Sequence, residues 1–74
     1  MRGRKRLNLI GPKVRKLRYQ RGWTQATLTA RCHRIGWDIG ESIIAKIEAQ
    51  FRCVSDQEVL LLAKALGVSV QSLF

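Results

Sequence analysis

At 74 residues, 46% of them apolar and 26% charged, the chain can support one small hydrophobic core, and a second independent domain is excluded. The apolar residues are interspersed with charge, so there is no run of about eighteen that could span a bilayer, and Leu7, Leu9 and Ile10 end too soon at Gly11 and Pro12 to form a signal peptide. The whole formal excess of +9 lies in residues 1–22, which hold Arg2, Arg4, Lys5, Arg6, Lys13, Arg15, Lys16, Arg18 and Arg21 and no acid, a distribution that attracts nucleic acid or an anionic membrane surface.

In chain order, the first ten residues read as a basic arm, which either follows a polyanion or simply solubilises the protein. Gly11 as an N-cap followed by Pro12 at the first helical position predicts a helix over about 12–21, with Val14 and Leu17 facing inward and Gly22 as a left-handed stop. Thr24 caps a second helix whose Leu28, Cys32 and Ile35 share one face and which ends near Gly36. Beyond Trp37, Asp38 and Ile39, a short helix is expected over about 41–49, with Ile44, Ile47 and Phe51 on one stripe and Ile43 off it. Ser55-Asp56-Gln57-Glu58 has the spacing of a capping box and opens a fourth helix, with Val59, Leu62, Ala63 and Leu66 inward and Gly67 at its end. Ser69 then caps a last helical turn carrying Val70, Leu73 and Phe74, which makes an all-α fold of five helices around one core.

The inventory for catalysis is poor. Cys32 and His33 are adjacent and diverge on a helix, and no paired carboxylates, P-loop or dinucleotide fingerprint occurs, so neither an enzyme nor a cofactor is implied. Cys32 and Cys53 are too few for a disulfide framework and read as small buried hydrophobes. With His33 they fall short of the roughly four ligands of a structural zinc site, so no metal is expected.

Four pieces stand in order: Gly11-Pro12-x-Val14-x-x-Leu17-Arg18, Gly22-Trp23-Thr24-Gln25-x-x-Leu28, Ile44-x-x-Ile47-Glu48 and Leu62-Ala63-x-Ala65-Leu66-Gly67-Val68-Ser69. Together they resemble the Cro and phage-repressor (XRE-type) family of helix-turn-helix domains, over residues 11–74. The resemblance implies a lambda-repressor-like fold and a cytoplasmic, nucleoid-associated regulator of bacterial or phage type. Such a protein binds double-stranded DNA with its third helix in the major groove, as a dimer on a pseudo-palindromic site. Gln25 matches the glutamine that meets a DNA phosphate at the start of the second helix. Gly40, Glu41, Ser42 and Ile43 fall where base reading begins, and Lys46 lies one turn further on. Glu41 has a second reading, as a carboxylate favoured by the helix dipole, and Ile43 as an extension of the core.

Arg18 and Glu48 match a family ion pair between the first and third helices. Lys13, Arg15 and Arg52 are candidate phosphate contacts, whereas Arg31 and Arg34 read as a solvated helix face. Val70, Leu73 and Phe74 are the candidate contacts of a homodimer. The chain departs from the family pattern in two places: the stretch from Cys32 to Gly40 is long for the motif turn, and Thr29 stands where the family has alanine, so its hydroxyl needs a partner. Trp37 is expected to cover that junction. A competing reading is an antitoxin-like module that also binds a protein partner, for which the chain has little spare length; RNA and membrane-surface binding lack a stacking platform or a large apolar helix face.

Overall fold

The computed structural model describes residues 5–74; Arg2 and Arg4 of the expected arm lie outside the described residues. Four α-helices run Gly11–Gln20 (α1), Gln25–Arg34 (α2), Glu41–Glu48 (α3) and Asp56–Leu66 (α4), and no strand occurs among the described residues. The expected fifth helix is instead a single 3-10 turn, Val70–Leu73. So short a segment cannot offset the cost of nucleating an α-helix, and it closes with tighter bonds such as Ser72 N–H to the Ser69 carbonyl at 3.0 Å. The Ser69 hydroxyl pairs with that of Ser72 and caps no backbone N–H.

The core is built from one stripe per element: Ile10 and Val14, then Leu28 and Cys32, Ile39, Ile44 and Ile47, and finally Leu62, Ala63, Ala65, Leu66 and Leu73. α2 packs on both α3 and α4, while α1 lies against α3 and α4. Burying each Leu or Ile contributes about 1.5–3 kcal/mol, so these stripes fix the helix arrangement that surface charge alone could not.

α1 begins one residue earlier than expected. Ile10 is the N-cap, and Gly11 is a buried first-turn residue. The need for glycine there is steric: a Cβ on Gly11 would land on the Ile47 carbonyl oxygen and lie 2.9 Å from that of Glu48. Capping falls to Asn8, whose Oδ1 accepts the Gly11 N–H at 2.7 Å while its amide donates to the Ile47 and Arg52 carbonyls at 3.1 and 2.8 Å. The last residues of the expected arm are therefore joined to the end of α3.

The long motif turn has a clear stop. Gly36, at φ +87°, ends α2 with bonds from Gly36 and Trp37 N–H to the His33 and Cys32 carbonyls, and residues 35–40 form the connection. His33 Nε2 donates to the Ile39 carbonyl at 2.7 Å, and Trp37 packs half-buried on the core. Thr29 finds its partner locally, donating to the Gln25 carbonyl at 2.8 Å.

Two expected core positions are corrected. Phe51 is exposed because Gln50, at φ +65°, turns the chain away after α3, with Phe51 N–H closing onto the Lys46 carbonyl at 2.8 Å. Cys53, beyond that turn, is exposed, whereas Cys32 is buried and its thiol is pushed up to about 11 by desolvation.

Candidate nucleic-acid interface

The site is organised by one buried carboxylate. Glu48, at the end of α3, accepts Arg18 Nε and Nη2 from α1 at 2.7 and 2.9 Å and the Gln25 side-chain amide from α2 at 3.1 Å. Arg18 donates in addition to the Trp23 carbonyl at 2.8 Å. Both ionic side chains are almost wholly buried, at 7% and 3% exposure, so the bidentate geometry offsets a desolvation that would otherwise exclude them. The hydrogen bond to Glu48 raises the Arg18 pKa further, against the opposing effect of burial. One cluster thus sets the mutual angle of α1, the start of α2, and α3.

Glu41, Ser42 and Lys46 are exposed on α3. Ser42 and Lys46, four residues apart, share one outward edge opposite Ile44 and Ile47, whereas Glu41, seven residues before Glu48, stands on the Glu48 side of the helix, in its first turn after the Gly40 cap. Ile43 is half-buried against the core, which leaves only part of its side chain outward. Gln25 is the first residue of α2, where Thr24 caps the helix by accepting the Thr27 N–H at 3.1 Å. An open groove runs between these elements, lined by Arg15, Tyr19, Trp23, Gln25, Glu41 and Ala45 among others. The structure brings Gln25, Glu41 and Arg15 to that groove and places Ser42 and Lys46 on the neighbouring helix edge.

Not every candidate stands free. Arg52 is tied to Glu58 by two bonds of 3.0 Å and to the Cys53 carbonyl at 3.2 Å. Its partner also closes the capping box, accepting Ser55 N–H at 3.1 Å while the Ser55 hydroxyl accepts the Glu58 N–H. Arg15 donates to the Tyr19 hydroxyl at 3.2 Å, and this bond, with the positive charge of Arg15 and Arg18 around it, lowers the Tyr19 pKa. Lys13 is half-buried on α1. Leu73 is fully buried in the core and so presents no surface to a partner; Phe74 is exposed and Val70 half-buried.

Sequence reasoning missed the aromatic part of the site. Tyr19 lies under the Arg18 guanidinium at 4.7 Å, and Trp23 carries Arg31 at 4.6 Å and Arg21 at 5.6 Å. The signal was present as aromatics interleaved with arginines over residues 15–31, but the pairing of Trp23 with Arg31 skips more than one helical turn and needs the fold to become visible.

A buried carboxylate that ties α3 to α1 and to the head of α2, and an exposed edge on α3, define a DNA-binding helix-turn-helix domain. The family model for helix-turn-helix proteins matches residues 14–73, and the chain belongs to that family of DNA-binding transcription regulators. Among solved structures it is similar to the restriction-modification controller protein C.AhdI from Aeromonas hydrophila, with 31% identity and a TM-score of 0.78, over 92% of this chain and 96% of that one. A comparison with curated proteins gives no match. Among the described residues no helix is long and apolar enough to cross a membrane, and no group of three His, Cys, Asp or Glu side chains could hold a metal ion.

Proposed function

We propose that this protein is a transcriptional repressor that reads a pseudo-palindromic operator as a dimer, with α3 in the major groove and the start of α2 on the phosphate backbone. The observation that carries the reading is the outward edge of α3, Ser42 and Lys46, with Glu41 in the adjoining groove, held at a fixed angle to Gln25 by the buried pair of Arg18 and Glu48. The likeness to a restriction-modification controller supports a regulatory role.

In this mechanism Gln25 and the exposed N–H groups at the head of α2 hold a phosphate and fix the register. Ser42 donates to or accepts from a base edge, Lys46 donates to guanine or a neighbouring phosphate, and Glu41 accepts from cytosine N4. The outward part of Ile43 contacts a thymine methyl. Arg15 and Lys13 add non-specific attraction along the backbone, and so does Arg52 if its bonds to Glu58 are exchanged. The protein works in the cytoplasm, at the nucleoid.

The dimer contact is reassigned from the expected trio. With Leu73 in the core, the surface available to a twofold mate is an apolar groove of Val54, Val59, Leu60, Val70 and Phe74, in which Leu60 and Phe74 are exposed by 59% and 62%. Selection from a randomised duplex pool by the wild type and by Ser42→Ala and Lys46→Ala tests the assignment. The reading requires a two-halved motif whose preferred bases change at particular positions in each variant. Motifs identical in all three proteins would refute base reading by α3.

A further inference from the structure

We propose that Arg21 and Arg31, both stacked on Trp23, form a preorganised clamp for a backbone phosphate of duplex DNA beside the head of α2. The inference rests on the DNA-binding reading above and adds to it a second phosphate site, distinct from Gln25.

The platform is rigid. Trp23 is half-buried against the core, its carbonyl accepts from Arg18 Nη1 at 2.8 Å, and its N–H donates to the Arg18 carbonyl at 3.1 Å. It is therefore fixed by the same residue that orients α3. It also lines the groove with Thr24 and Gln25, next to the first turn of α2. The guanidinium carbons of Arg31 and Arg21 lie over the ring at 4.6 and 5.6 Å, cation–π contacts that leave N–H donors for an acceptor.

Among the described residues neither guanidinium has a carboxylate partner: Glu48 holds Arg18 and Gln25, Glu58 holds Arg52, and Glu41, which lines the same groove, makes no ion pair with either. Among the described residues the Arg31 guanidinium makes no hydrogen bond, and that of Arg21 only a long one of 3.4 Å to the Leu17 carbonyl. Arg31 stands in the last turn of α2, and its guanidinium lies over the Trp23 ring instead of on a carboxylate. Two cations gathered on one indole ring without a counter-ion make a poor structural device and a good seat for an anion. Phosphate on a duplex is the anion that Gln25 already meets next door.

The test is the salt dependence of duplex affinity for the wild type, Arg21→Gln, Arg31→Gln, Trp23→Leu and, as a control for net charge on the same helix, Arg34→Gln. Far-UV circular dichroism establishes folding of each. Arg31→Gln and Arg21→Gln are expected to lower the slope of log K against log salt by about 1 each and to weaken binding several-fold, leaving the preference between operator and random duplex unchanged. Trp23→Leu, which keeps every charge, is expected to weaken binding as well, and Arg34→Gln to leave it nearly intact. Slopes and affinities for Arg31→Gln equal to those of the wild type or of Arg34→Gln would overturn the clamp while leaving the DNA-binding reading in place. Failure of the wild type to bind any duplex would overturn both.

Discussion

Glu48 receives three side-chain hydrogen bonds from two other helices, at 2.7, 2.9 and 3.1 Å, so its removal strands a buried guanidinium. Glu48→Ala is expected to cost about 3–5 kcal/mol, read as a shift in the urea midpoint, and to weaken duplex binding because α3 loses its set angle. An unchanged midpoint would show that the pair holds nothing. The half-buried pair of Arg52 and Glu58 behaves differently. The hydrogen bond from Arg52, and after it the Ser55 N–H, lowers the Glu58 pKa in the fold against the opposing effect of burial. The stabilisation is therefore present above the unfolded carboxyl value of about 4.3 and is lost as pH falls through the lower folded value. Glu58→Gln should remove that acid-side slope from the stability profile, at a cost of about 1 kcal/mol or less at neutral pH. A profile below pH 5 identical to that of the wild type would contradict the assignment.

At the scale of elements, the close approach of α1 to the end of α3 depends on a missing side chain. Gly11→Ala would drive a methyl group into the Ile47 and Glu48 carbonyls. Overpacking of this kind costs about 1–3 kcal/mol, measurable by denaturant titration, and stability equal to the wild type would mean that the helices separate freely. Sequence periodicity placed α2, α3 and α4 and most of their inward residues, because apolar spacing and side-chain caps at Thr24 and Ser55 are local signals. It misplaced what depends on distant backbone. The role of Gly11 is set by carbonyls far along the chain, and Asn8 looked like tail because its partners, Ile47 and Arg52, are likewise remote. Phe51 kept the helical spacing of Ile44 and Ile47 but lies past the left-handed turn at Gln50, where periodicity no longer applies. The ion pair of Arg18 and Glu48 was legible only through family resemblance, and the Trp23 cluster not at all.

Over the whole molecule, charge and apolar surface divide the work. In the proposed reading the net +9 charge draws the protein to a polyanion, the edge of α3 selects among sequences, and the groove around Leu60 and Phe74 receives a second copy. Leu60→Glu combined with Phe74→Glu should turn a dimer into a monomer of 8.5 kDa by sedimentation and abolish tight binding to a two-halved site; a dimer persisting in that variant would rule the groove out. The most direct measurement of the central claim is the affinity of the full chain for a selected duplex against random duplex, by fluorescence anisotropy at low and moderate salt. A sequence-reading regulator predicts a preference of about a thousandfold or more that survives the higher salt. Equal binding to every duplex, vanishing together as salt rises, would reduce the interface to charge attraction and contradict base recognition by α3.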